Sequence, residues 1–285
     1  MATRSLSVPR FGELSLVGLV ATLLLVVLSV LAVQGGQTKV LVISWVAFAA
    51  MALFAVPGAR AAGTQDARRL VWGYGLAAGA MVTSAAVFLL PQAFGLAGQV
   101  GGFGVAAGLL VGYGAHTVGH RLSHLDTPFD STALQIAAHA LSAGLIIGVI
   151  YATLPELGLL LGLAIVSHKG PAGYAAARRL RAAGKPVSVL LLPAAGIGLT
   201  AIPASLLDPA FSGSTKALVF GFAAGVFLHV AMDFLPECET GSEVGEVAKL
   251  SGDAHALLDR LRIHAVVSTA LGALAVLGAW LVVAP

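Results

Sequence analysis

Long apolar stretches restrict the fold of this chain more than any other feature. A helix needs about 20 apolar residues to cross a hydrocarbon core of roughly 30 Å. Nine stretches approach or exceed that length, at residues 14–34, 40–57, 70–93, 96–118, 132–153, 156–178, 186–207, 217–236 and 263–283. Lipid offers no partner for backbone polar groups, so such runs predict transmembrane helices. We expect an all-α, polytopic transmembrane helical bundle of about nine spans, with residues 1–285 forming a single transmembrane domain.

Composition agrees with this class of protein. The chain is 58% hydrophobic and only 10% charged, which leaves no soluble domain of useful size. The stretch at 14–34 follows Arg4 and Arg10 and so resembles a secretory signal. Its apolar run of about 20 residues exceeds the 7–15 of a signal core, so we predict a retained helix. The single Cys238 excludes an intramolecular disulfide and a thiolate metal cluster.

The positions of the 16 lysines and arginines predict the orientation. If the N-terminus is cytoplasmic and the loops alternate, only Lys39 and Lys216 fall outside, and Lys169 lies in the membrane. We therefore expect a multi-pass protein of the cell membrane with its C-terminus outside. The net charge of +3 is explained by topology and anionic membrane lipid, and no nucleic-acid partner is expected.

Two histidines lie inside apolar spans, where hydrocarbon should exclude them. His139 begins the stretch His-Ala-Leu-Ser-Ala-Gly and His168 begins His-Lys-Gly-Pro-Ala-Gly. An ionisable residue within a membrane is a functional candidate. Pro171 cannot donate a backbone hydrogen bond, which frees the carbonyl of Ser167 beside His168. That carbonyl suits a cation or a water, and a simple packing kink is an equal alternative.

These motifs resemble the ZIP (Zrt/Irt-like) family, whose members carry zinc and related divalent metals across membranes. The stretch at 139–144 is similar to the family pattern His-Asn-x-x-acid-Gly, and 168–173 to His-Glu/Asn-x-Pro-Glu-Gly. Two further stretches, 88–93 and 225–237, resemble family phrases in the same order. The resemblance implies eight core helices over about 40–283, with 14–34 as an extra N-terminal helix.

The departures from the family pattern are as informative as the matches. The resemblance implies a two-metal centre built from acids and an amide, but the corresponding positions here are Ala140, Ala143, Lys169, Ala172 and Ile202. The binuclear carboxylate site is therefore lost. Two neutral imidazoles leave the charge of a divalent ion uncompensated. An ammonium group pointing inward from Lys169 would oppose that ion further.

Lys169 admits three interpretations. We prefer the one in which it stands in for the missing cation and holds the helices together electrostatically. Alternatively it is a neutral amine that takes part in proton coupling, because desolvation disfavours the charged form. In the third interpretation it faces away from the site and snorkels toward an interface.

Two further helical stripes carry metal-ligand side chains at i, i+4 and i+8, which places each set on one face. They are His229, Asp233 and Glu237, and His116, His120 and His124. Imidazole and carboxylate are suitable zinc ligands, so either stripe could line an exit path. Polar residues are also normal at helix ends. The acidic run Glu237, Glu239, Glu243 and Glu246 is interpreted as a solvated loop.

The leading functional hypothesis is a transporter rather than an enzyme, with zinc or another divalent cation as substrate and no prosthetic group. The predicted metal-contacting residues are His139, His168, Ser142, His229, Asp233 and Glu237. A homodimer is left open. The alternatives are a metal-independent ZIP-fold carrier or regulator stabilised by Lys169, and an intramembrane hydrolase that pairs a buried histidine with Ser142 or Ser167. Transport requires the two histidines to face each other, whereas hydrolysis requires a serine beside one of them.

Overall fold

The described part of the protein is helical throughout, which confirms the all-α prediction. The computed structural model describes residues 15–61, 64–122, 131–155, 159–207, 211–239 and 254–283. A π-helical turn, Ala85–Leu89, joins α3 to α4, and a 3₁₀ turn, Val187–Leu190, precedes α8. The helices are α1 Leu16–Gln34, α2 Thr38–Arg60, α3 Thr64–Ser84, α4 Leu90–Leu122, α5 Ser131–Thr153, α6 Leu159–Val166, α7 Lys169–Ala182, α8 Leu191–Ser205, α9 Gly213–Glu239 and α10 Ala254–Val283.

Within those ranges, seven helical segments are long and apolar enough to cross a membrane, so the chain is a multi-pass membrane protein. One segment, Ala67–Ala115, has 49 residues and would span roughly 70 Å if straight, more than twice the hydrocarbon thickness. Ala97 interrupts it with an extended backbone, φ −163° and ψ 94°. A side chain at Gly101 would meet the carbonyl of Ala93, so the chain folds back here. The two arms correspond to the third and fourth predicted spans.

The sixth predicted span is not one helix, so the prediction of a continuous helix over 156–178 is wrong. α6 ends at Val166, residues 167–168 form a turn, and α7 begins at Lys169. Pro171 falls in the first turn of α7, where a missing N–H costs the helix no bond, but it prevents α6 from continuing. In the described residues, eight of the nine predicted spans are long helices. The remaining one, the sixth, is divided into two short helices.

Close pairing of helices organises the bundle. The most extensive contacts join α4 with α9, α5 with α8, α3 with α10 and α2 with α7. On the α4–α9 interface a side chain at Gly108 would meet the backbone of Phe222, and one at Gly225 would meet the backbone of Val105. Small residues let helix backbones approach this closely in a membrane, where helix–helix packing depends on van der Waals contact. One buried apolar cluster is shared by α1, α2, α4, α5, α6, α8, α9 and the π-helical turn.

Candidate functional site

The break between α6 and α7 places two histidine rings in contact. His139 comes from the middle of α5 and His168 from the turn that precedes α7, and their ring centroids lie 5.6 Å apart at an interplanar angle of 62°. His168 is 2% exposed. The Nε2 atom of His139 is buried and has no hydrogen-bond partner. The structure therefore brings together the two histidines that the sequence singled out.

Lys169 is buried beside this histidine pair. It is the first residue of α7, is 1% exposed, and is among the largest fully buried side chains of the described residues. A side chain so completely enclosed does not fit the snorkelling interpretation.

His229 of α9 pairs with an acidic residue of its own helix. Its Nε2 lies 3.2 Å from Oδ2 of Asp233. The side chain of His229 is 14% exposed and that of Asp233 is 41% exposed. Sequence spacing had placed these two residues on a stripe separate from the histidine pair. In the structure they form one contact on α9, between the largely enclosed ring of His229 and the more exposed carboxylate of Asp233.

Gly112 is a residue that the sequence analysis missed. It lies on α4 against the ring of His229, and a Cβ at this position would lie 2.6 Å from a ring carbon. The glycine therefore makes the space that His229 occupies. The available signal was the recurrence of Gly104, Gly108 and Gly112 every four residues, which marks one close-packed face of a helix.

Ser142 does not join the histidine pair. Ser142 is exposed, and its hydroxyl donates to the carbonyl of Ala138 in its own helix at 2.8 Å. Among the residues that the structure describes, no group of three or more histidine, cysteine or acidic side chains is arranged to hold a metal ion. Several predicted side chains lie outside that described part, namely those of Glu237, His116, His120, His124, Glu239, Glu243 and Glu246.

The substituted positions serve helix packing in this chain. Ala140 and Ile202 are fully buried, Ala143 is 3% exposed, and Ala172 is half-buried. A Cβ at Gly196 of α8 would lie only 2.9 Å from the methyl group of Ala140. The hydroxyl of Thr200 on α8 also donates a hydrogen bond to the carbonyl of Leu141 on α5, at 2.7 Å. The two helices are therefore too close together for a longer side chain at position 140. Position 140, at which the ZIP resemblance implies a ligand, is therefore in close contact with α8.

Neighbouring side chains support the broken helix. The hydroxyl of Tyr151 accepts a hydrogen bond of 3.2 Å from the N–H of Gly162, in the first half of α6. Gly170 packs against the ring of Phe54, and Pro171 packs against Gly73. Irregular backbone at membrane depth is tolerated where protein encloses it or where it lines a cavity, and discontinuous helices form binding sites in many transporters.

Comparisons with known proteins add no assignment. No protein-family model matches the chain, and no curated protein matches it. The ZIP resemblance rests on the four motifs described above and stays a prediction.

Proposed function

We propose that the chain is a transporter of the cell membrane that carries zinc or a related divalent cation as its substrate. The observation that carries this proposal is the buried pair of His139 and His168 at the break between α6 and α7. Neutral imidazole is a good ligand for zinc and similar metals. The two rings face each other from separate elements, as transport requires. A helix that is interrupted beside them supports the same interpretation.

In this proposal the ion passes through one site of low charge rather than through a paired-metal site. His139 and His168 contact the ion in the buried part, and His229 with Asp233 receives it on the more exposed side. In this proposal the ammonium group of Lys169 takes the place of the second metal ion of a paired-metal site. A single carboxylate binds a dication weakly, which favours release over storage.

A second candidate is a ZIP-fold carrier or regulator that does not move metal. The burial of Lys169 favours it, because an ammonium group near the histidines opposes a divalent ion. For the hydrolase alternative, Ser142 offers no comparable support, since it is exposed and its hydroxyl donates to a carbonyl of its own helix.

The test is uptake of radiolabelled zinc into proteoliposomes that contain the purified full chain. We expect saturable uptake by the wild type and a loss of roughly tenfold or more in His139→Ala and in His168→Ala, as for the removal of metal-contacting groups. His264→Ala is the matched control. His264 lies on α10, and its ring centroid is 6.1 Å from that of Trp72. Its replacement should leave uptake unchanged.

Two outcomes would contradict the proposal. One is folded wild-type protein that gives no uptake above empty vesicles. The other is uptake that survives in both histidine variants. The first outcome favours the metal-independent carrier or regulator, and the second places the transport path elsewhere in the bundle.

A further inference from the structure

A pocket of about 290 Å³ lies where α3, α6, α10 and the π-helical turn meet. α3 contributes Leu76 and Ala80, the π-helical turn contributes Phe88, and α6 contributes Leu163. Among the described residues that line the pocket, only Ser167, in the turn after α6, has a polar side chain. The walls of the pocket are therefore almost wholly apolar.

The α10 wall of the pocket is built mostly from small residues. Gly272, Ala275, Val276 and Ala279 follow the spacing i, i+3, i+4 and i+7, so they lie on one face of the helix. Gly272 packs closely against α3, since a Cβ there would meet the carbonyl of Leu76. The short side chains that follow it on α10 leave the space that the pocket occupies.

Two irregular parts of the backbone bound the same pocket. Ser167 belongs to the break between α6 and α7. α6 contacts α3 and α10, whereas α7 packs most extensively against α2, so the chain turns away from α10 at this point. Phe88 belongs to the π-helical turn, and such turns are frequent at functional sites.

The pocket opens toward lipid rather than toward water. The helices of its α3 and α10 walls belong to segments long and apolar enough to cross a membrane, Ala67–Ala115 and Asp259–Val282. Leu76 is 39% exposed and Ala275 is also exposed, so the pocket is not sealed. Leu274, next to Ala275 on α10, is 59% exposed, as expected of a side chain that faces lipid. The medium around the mouth of the pocket is therefore hydrocarbon.

An open apolar space of this size favours an apolar occupant. Water in a protein cavity needs several polar partners, which these walls do not provide. If the space stayed empty, the atoms that line it would lose dispersion contacts. Apolar cavities of about 150 Å³ already accept benzene, so this pocket has room for several methylene groups. The acyl chains around its mouth supply such groups at high concentration.

We propose that the pocket binds one acyl chain of a membrane phospholipid. From Gly272 to Ala279 the helix rises about 10 Å, so a segment of roughly that length lies against α10. α10 ends at Val283, about 6 Å beyond Ala279, which places the headgroup in the leaflet at this end of the helix. The site is separate from the proposed metal transport and does not depend on it.

The experiment uses the full chain in phosphatidylcholine vesicles that contain a small fraction of phosphatidylcholine with a diazirine in one acyl chain. After illumination, mass spectrometry of the peptides locates the residues linked to lipid. We expect adducts at Leu163 and Val276 of the pocket more often than at Leu274 and Leu281, which are 59% and 63% exposed on α10. A held chain stays beside the pocket residues, whereas bulk lipid exchanges past the others. Zinc is absent throughout, so a failure of the metal proposal leaves this result unaffected.

Two variants fill the pocket. Ala275→Phe places a ring at its mouth, and the bundle can accept that ring because Ala275 is exposed. Labelling of Leu163 should fall roughly tenfold, which corresponds to the lost burial of about two methylene groups. Ala279→Phe fills the pocket from another position and should have the same effect, so the test does not rest on the folding of one variant.

Ala270→Phe is the matched control, because it makes the same substitution at an exposed position of α10 outside the pocket and should leave labelling unchanged. Thermal unfolding in detergent checks that each variant is folded. The proposal is overturned by folded wild-type protein that is labelled at Leu163 and Val276 no more often than at Leu274 and Leu281. It is also overturned if the folded pocket-filling variants keep the wild-type labelling of Leu163.

Discussion

At the scale of single residues, the position of the His229 side chain depends on the glycine that faces it. His229 has room for its imidazole ring because Gly112 carries no side chain. The contact at Gly112 involves side-chain atoms of His229, so an added methyl group would force the ring into another rotamer rather than separate the two backbones. The effect should therefore fall on the position of His229 more than on the fold.

We predict that Gly112→Ala lowers zinc uptake several-fold while it changes the apparent Tm only slightly. Gly114→Ala, on the same helix, is the matched control, since a Cβ at Gly114 would meet no neighbouring element within 4 Å. Uptake in proteoliposomes and thermal unfolding in detergent check both expectations. Equal uptake by the two variants would show that the position of His229 does not matter for transport.

At the scale of helices, the pairing of α2 with α7 holds the break in place. α7 carries Lys169 and follows His168, and it lies against α2 through backbone contact. A Cβ at Gly173 would come within 2.5 Å of the carbonyl of Met51, and one at Gly58 would meet the carbonyl of Tyr174. Backbone atoms cannot be displaced by a change of rotamer, so a side chain at either glycine must move one helix relative to the other.

Gly173→Ala should therefore destabilise the protein by about 1–3 kcal/mol, as overpacking does elsewhere. Gly278→Ala is the control, because a Cβ at Gly278 of α10 meets nothing within 4 Å. Thermal unfolding in detergent measures the change in stability of both variants. Wild-type stability in Gly173→Ala would mean that α2 and α7 tolerate a wider spacing than their contacts indicate.

At the scale of the whole molecule, the two lysines predicted to lie outside meet at the end of one helix. Lys39 donates to the carbonyl of Pro155 at 2.7 Å, and Lys216 donates to the carbonyl of Thr153 at 3.2 Å. Lysines at a helix C-terminus satisfy terminal carbonyl groups and complement the negative end of the dipole. The start of α2, the end of α5 and the start of α9 therefore lie at the same end of the bundle.

This arrangement leads to a prediction about the sidedness of the membrane. With Cys238→Ser as the background, Gly213→Cys should react with an impermeant maleimide added to intact cells, because the end of the bundle near Lys216 is expected to face outward. Lys185→Cys, just after α7, should react only after the cells are permeabilised. Labelling of both positions from the same side would contradict the predicted orientation.

Much of the fold was predictable because the bilayer imposes a simple rule. A long apolar run in lipid must form a helix to satisfy its backbone, so residues such as 16–34 and 191–205 could be assigned without knowledge of their neighbours. The histidines were recognisable for the same reason, since a polar side chain is costly in hydrocarbon. Pro171 marked the interrupted region. However, a proline has no backbone N–H to donate, and this is compatible both with a kink within one helix and with the start of a new helix.

Thus the sequence by itself determined that the protein is a helical membrane protein and which side chains are out of place in lipid. Only the tertiary structure decided that the sixth apolar stretch is two helices, that the rings of His139 and His168 are in contact, and that Ala140 packs directly against α8. These features depend on contacts between residues far apart in the chain. The energy of such contacts is set by how closely two backbones approach, which the spacing of residues within either helix does not specify.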